Sequence, residues 1–196
     1  MRNEIDRRSF LRASTAGVGL MALAPLCRAA SAPLPGKILV AYASRCGSTA
    51  EIARAVAEDL KHRGSAVDLR SADKVATLAG YEAVVVGSAV RFGHWLPETV
   101  EFVRAHQAGL KRIPTAFFTV LIMNTGPDVA ARKARLGYLD PVHAVMKPGA
   151  EVFFAGRMEQ SRLSFSERLL FKVMKGHDAD MRDWPAIHAW GQRVFA

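Results

Sequence analysis

Short apolar runs alternate with amphipathic stretches along this chain of 196 residues. Residues 37–43 are rich in Ile, Leu and Val between polar neighbours, which predicts a buried strand. The period then changes. Across residues 50–63, Ile52, Val56 and Leu60 recur at helical spacing while Glu51, Arg54, Glu58 and Lys61 fall elsewhere, and Gly64 ends the pattern, so an amphipathic helix follows. Residues 67–70 and 81–88 predict two further strands, the latter apolar in succession at Ala83, Val84, Val85 and Val86, as a strand covered on both faces requires. Residues 96–110 predict a helix with Val100, Val103 and Leu110 inward, and Pro114 marks the return into the strongest strand, 115–123. A helix over 129–138, extending toward Met146, a fifth strand over 151–155 and a closing helix over 184–195, with Ile187, Trp190 and Val194 at helical spacing, complete the series. Strands alternating with helices predict an α/β sandwich around a parallel sheet, whose ligands bind beyond the carboxyl ends of the strands.

The first 32 residues fit no such element and read as an address. A charged start containing Asp6-Arg7-Arg8-Ser9-Phe10-Leu11-Arg12 precedes a mildly apolar run over 13–26 and the small-residue site Ala30-Ser31-Ala32. That run is too short to span a bilayer. The paired arginines followed by Phe-Leu resemble the twin-arginine signal, a receptor-read export address, and Arg28 suits that route better than general secretion. The expected organisation is therefore a signal peptide over 1–32 and one domain over 33–196, delivered to the periplasm by the twin-arginine translocon. Bulky Leu26 before Cys27 argues against a lipid anchor there. Loss of the leader leaves Cys46 as the only cysteine, so stability rests on packing and not on a disulfide.

Composition narrows the picture less. With 50% hydrophobic and 23% charged residues the chain is an ordinary globular one, long enough for one core. Its formal net charge of +9 falls to +6 once five basic and two acidic residues of the leader are set aside. Such a surplus suits an acidic small molecule or an anionic membrane surface. Nucleic acid is not expected among the partners, and the histidines show no metal-ligand spacing, so no metal is proposed.

Chemistry is legible where the first strand meets the first helix. Ser44, Ser48 and Thr49 supply hydroxyls, Gly47 frees the backbone, and the positive end of the helix dipole points at the same spot, so Ser44-Arg45-Cys46-Gly47-Ser48-Thr49 forms a phosphate-binding loop. No Lys follows Gly47, and the three-glycine dinucleotide fingerprint is missing; a monophosphate fits better. The competing explanation is a capping box of Ser48 and Glu51 with no ligand. Cys46 beside the helix start is either a thiol of lowered pKa or merely a small residue.

This loop resembles that of the flavodoxin family, which holds the phosphate of FMN. The likeness spans nearly the whole chain after the leader and implies a flavodoxin-like, doubly wound sandwich with a five-stranded parallel sheet in the order 2-1-3-4-5. It sharpens at Val85-Val86-Gly87-Ser88-Ala89-Val90-Arg91-Phe92-Gly93-His94-Trp95, which resembles the third-strand loop of the menaquinone-dependent protoporphyrinogen oxidases. The resemblance implies that residues 44–49 bind the FMN phosphate and that Ser88, Ala89, Val90, Phe92 and Gly93 border the flavin ring. Arg91 and His94 are the catalytic candidates; Trp95 suits packing. Asn124 and Thr125 join the cofactor site by their position after the fourth strand. That family works at the cytoplasmic face of the inner membrane, whereas the leader here predicts export.

Residues 157–175 are not needed to close the sandwich. Leu163, Phe165, Leu169, Leu170, Val173 and Met174 share one side of a helical wheel, with Arg168, Lys172 and Lys175 on another. The segment reads as a surface for an anionic membrane or an acidic apolar substrate, or as a helix packed on the sheet. The function expected is an FMN-dependent oxidoreductase passing electrons from an organic substrate, such as a porphyrinogen, to a quinone or other acceptor. The alternatives are an exported electron carrier without its own substrate, and a domain that has lost FMN and binds a partner.

Exchange of Arg7 and Arg8 for Lys conserves charge but removes the address, so the double variant is expected to accumulate in the cytoplasm as a folded, flavin-loaded precursor. Fractionation with flavin absorbance checks this. Undiminished periplasmic delivery refutes the twin-arginine assignment.

Overall fold

The computed structural model describes residues 34–159, 161 and 178–196. The leader and the stretch predicted to carry the apolar and basic faces, from Leu163 to Lys175, lie outside the described residues. Five parallel strands form the sheet: β1 (Lys37–Ala43), β2 (Ala66–Ser71), β3 (Ala83–Arg91), β5 (Thr115–Leu121) and β6 (Ala150–Ala155), in the order β2-β1-β3-β5-β6. Counting the parallel strands alone, this is the predicted order 2-1-3-4-5. Two short antiparallel pieces lie outside that count: β4 (His94–Trp95) folds back on β3, and β7 (Arg157–Met158) pairs with β8 (Ala179–Asp180).

Strand alternation divides the core into two layers. Ile38 and Val40 of β1, Val85 of β3 and Phe118 and Val120 of β5 face one side, where α1 (Ser48–His62) buries Ile52, Val56 and Leu60. The closing helix α6 (Trp184–Gly191) adds Ile187 to that layer. Leu39, Ala41, Val84, Val86 and Phe117 face the other side, against Val100, Phe102 and Val103 of α2 (Pro97–Ala105) and Leu110 of α3 (Gln107–Leu110). Leu139, Val142 and Met146 complete it, from the region of α4 (Val129–Gly137) and α5 (Asp140–His143).

The predicted helix over 96–110 is broken, and the one over 129–138 forms but does not run on to Met146. The 96–110 segment leaves helical geometry at His106 (φ −106°, ψ 11°), whose ring nitrogen lies 3.2 Å from the carbonyl of Val75. The segment from 129 toward Met146 divides before Asp140, with Pro141 in the first turn of the second piece, where its missing N–H costs nothing. At the other end, α6 is latched to α1: Asp59 receives His188 Nδ1 at 2.8 Å and Gln192 Nε2 at 3.1 Å, and Arg63 donates to the carbonyls of Gly191 and Val194.

Gly87 has the closest neighbour of the described glycines. It stands opposite Phe118 in the β3–β5 register, and a Cβ there would fall 1.9 Å from Phe118 Cζ. The ring is fully buried and meets Trp190 edge-on, with centroids 6.2 Å apart, so it has nowhere to retreat. Gly87→Ala should therefore cost about 3 kcal/mol through overpacking and lower the Tm by roughly 6–12 °C, read by thermal unfolding. An unchanged Tm means that the ring shifts freely, contrary to this packing.

Candidate functional site

Parallel strands open their carboxyl ends on one edge, and the loops there build the site. After β1 the chain has only residues 44–47 in which to turn. Gly47 adopts φ 86°, a conformation glycine enters without strain, and its N–H donates to Ser44 Oγ at 3.0 Å. Ser48 and Thr49 then open α1 and are buried although polar. Ser48 does not cap its own helix. Its Oγ accepts the backbone N–H of Arg157 at 2.9 Å, and Gly47 is the N-cap without a side-chain bond. Glu51 turns to Arg157 and Arg182, so the capping box is not formed. Ser48 thus retains its hydroxyl proton for donation.

The second loop is a hairpin. Val90 pairs with Trp95 and Arg91 with His94, leaving Phe92 (φ 50°) and Gly93 (φ 79°) as a two-residue turn with both φ positive, the hand that matches strand twist. Phe92 is 74% exposed, and the Arg91 guanidinium lies 4.8 Å from its ring centroid. The hairpin is fixed from beneath. Ser88 is fully buried; its Oγ accepts from Leu96 N–H and from Thr99 Oγ1 and donates to the Ala89 carbonyl. Trp95 is 3% exposed and donates Nε1–H to Thr119 Oγ1 at 2.9 Å.

The third loop follows β5. Asn124 stands at φ 58° and donates through Nδ2 to the Tyr138 hydroxyl, and Arg135 donates to the carbonyls of Asn124 and Gly126, both at 2.6 Å. Tyr138 also lies against Gly93, 3.7 Å from where a Cβ would stand, so the second and third loops share one support.

The loops enclose an open cleft. Ser44, Arg45, Cys46, Ser48 and Thr49 line it from the first loop and Ala89, Val90 and Arg91 from the second. The remaining expected residues stand elsewhere. Ser88 lies under the hairpin, its hydroxyl engaged in the core. Phe92, Gly93 and His94 form the tip, while Asn124 and Thr125 belong to the third loop without lining the cleft. Cys46 is partly exposed. Among the described residues no group of His, Cys, Asp and Glu suits a metal.

Sequence reasoning missed Leu121, Ile122, Gly156, Arg157 and Met158, which also line the cleft. The signal was Gly156, directly after the fifth strand: a Cβ there would approach Ser48 Oγ to 3.2 Å and Val120 Cγ1 to 2.9 Å. Hydroxyl donors at a helix start beside the apolar Val90, Leu121 and Ile122 suit a ligand with a phosphate at one end and a flat apolar ring at the other, which is the shape of FMN.

Charge around the cleft is paired. Arg45 meets Glu98 at 2.8 Å. Arg182 grips Asp180 and Glu51, and its side chain is only 6% exposed. Hydrogen bonding from Arg182 holds the Asp180 carboxyl down at about 2, and the same contact raises the guanidinium. A depressed carboxyl stabilises the fold above its ordinary value of 3.8, and that contribution is lost as pH falls toward about 2.

Residues 39–183 match the family described as flavodoxin domain. A protoporphyrinogen IX dehydrogenase [quinone] of Escherichia coli K12 is 26% identical over 163 residues, covering 80% of this chain and 90% of that protein. One from Leishmania major is 30% identical over 180 residues, covering 82% of this chain and 75% of that protein. Among solved structures, a flavodoxin from the domain Archaea superposes with a TM-score of 0.49 at 15% identity, over 81% of this chain and 96% of that one.

Thr49→Val keeps shape and removes one hydroxyl from the phosphate loop. The FMN affinity of the apoprotein should fall about 10- to 100-fold, the loss typical of one hydrogen bond to a charged group, with riboflavin affinity unchanged. Quenching of flavin fluorescence measures both, and an equal loss for both flavins removes Thr49 from the phosphate site.

Proposed function

Because the chain belongs to the flavodoxin family, whose members bind FMN, we propose that this FMN oxidoreductase takes electrons from a porphyrinogen-like substrate and delivers them to a quinone. The observation that carries this reading is the exposed surface of the hairpin tip, the loop after β5 and α4. Five large apolar side chains are exposed among the described residues, and four of them, Phe92, Met123, Val129 and Leu136, belong to the hairpin tip, the loop after β5 and α4. Val129, Arg132, Lys133 and Leu136 follow one another at helical spacing and form one exposed face of α4. Arg91 adds a third cation at the cleft's edge.

An apolar surface set with cations suits a flat, apolar molecule bearing carboxylates, and it suits the ring and tail of a quinone. The names of the Escherichia coli and Leishmania relatives add support from the same direction. Bound FMN supplies the electron-accepting ring. The chain's own residues do the rest: Val90, Leu121 and Ile122 give apolar cover to the ring, Arg91 orients an anionic substrate at the mouth, and Phe92 offers an aromatic face beside it. His94, opposite Arg91 in the hairpin, would exchange a proton with a substrate bound there. In this reading the protein works outside the cytoplasm after twin-arginine export, in peripheral contact with an anionic membrane that brings quinone to that surface.

Anaerobic mixing of the FMN-loaded protein with protoporphyrinogen should bleach the oxidised flavin spectrum, and a menaquinone analogue should restore it. Arg91→Ala should lower kcat/KM for the porphyrinogen about tenfold or more, the usual loss of one charged contact to substrate, while FMN loading stays intact. A flavin that no porphyrinogen reduces, but that a reduced partner protein does, overturns this reading in favour of the electron carrier.

A further inference from the structure

Glu51 occupies an awkward place. A carboxylate in the first turn of α1 gains from the helix dipole, but it shares that terminus with the loop that receives the FMN phosphate. The partial charge of a helix end is about half a unit, too little to serve a carboxylate and a dianion together. The structure resolves the conflict with two guanidinium groups. Oε1 of Glu51 receives Arg157 Nη2 at 2.8 Å, and Oε2 receives Arg182 Nη1. Both arginines are anchored a second time, Arg157 on Glu159 Oε1 at 2.8 Å and Arg182 on Asp180, with side chains 20% and 6% exposed. Arg157 also donates its backbone N–H to Ser48 Oγ, so the same residue touches the phosphate loop directly.

We propose that Arg157 and Arg182 are positioning residues for the cofactor: by holding Glu51 in ion pairs they leave the α1 terminus free for the phosphate, and they make the site select FMN over riboflavin. The proposal rests on FMN as the cofactor. It deepens that reading by assigning phosphate selectivity to residues at the end of the fifth strand and beyond β8.

A charge cycle on the full chain tests it. Apoprotein is titrated with FMN and with riboflavin by fluorescence quenching, inorganic phosphate serves as competitor, and thermal unfolding is followed in parallel. Arg182→Gln leaves Glu51 half-paired and should weaken FMN binding about tenfold or more, with riboflavin affinity held within about twofold. Salt should narrow the loss by screening the repulsion. Adding Glu51→Gln to that variant should return FMN affinity to within about threefold of the wild type. Glu51→Gln alone, in which both arginines keep their second carboxylates, should bind FMN and inorganic phosphate several-fold more tightly and leave riboflavin unchanged. The single Glu51 variant keeps the test decisive if Arg182→Gln does not fold. Equal losses for FMN and riboflavin in Arg182→Gln, failure of the double variant to recover, or weaker FMN binding in Glu51→Gln would each show the cluster to be a structural clamp without influence on the phosphate. Failure of the wild type to bind either flavin overturns the FMN reading itself, a result distinct from these.

Discussion

Parallel strands cannot be joined by tight hairpins, so every connection between the five parallel strands crosses a face of the sheet, and each strand starts from the same border. Most of the molecule's layout obeys that constraint. It covers both faces of the sheet with helices, which is why β3 and β5 are apolar without alternation, and it gathers the loops after β1, β3, β5 and β6 along one border. The β1–β3 and β3–β5 ladders hold those loops in register, so the positions of Thr49, Arg91 and Gly156 follow from hydrogen bonds made deep in the core.

The electrostatics of that border differ from what the net charge alone suggests. Arg45, Arg157 and Arg182 stand around the loop after β1, but each is already engaged by a carboxylate: Glu98, Glu51 with Glu159, and Asp180 with Glu51. The loop therefore offers a phosphate hydroxyls and a helix end within a nearly balanced field. Unpaired arginines there would attract any anion; paired ones let hydrogen-bond geometry choose.

Much of this was legible in the sequence because it is local. Apolar succession at residues 83–86 announced a central strand, and three hydroxyls around Gly47 announced a loop that lines the cleft, since both depend on neighbours a few positions away. Other features depend on distant partners. A serine at a strand's end reads the same whether it faces a ligand or, like Ser88, receives Leu96 and Thr99 in the core. Ser48 and Glu51 have the spacing of a capping box, but Arg157 lies more than a hundred residues away and takes both of them. The turn at Phe92-Gly93 lacks the Asn-Gly or Asp-Gly pair that would mark it. The break at His106 carries no Pro or Gly of its own, and the ring there meets the carbonyl of Val75, a partner distant in sequence.

Phe92 holds a backbone conformation that bulky residues avoid, with its ring mostly in water. Neither property helps the protein fold; asparagine or glycine would sit there with less strain and expose less apolar surface. Thermal robustness and the aromatic tip therefore pull in opposite directions. A library screened for heat resistance alone would drift away from phenylalanine at this position, and the variants it returned would be sturdier molecules stripped of the aromatic ring at the hairpin tip.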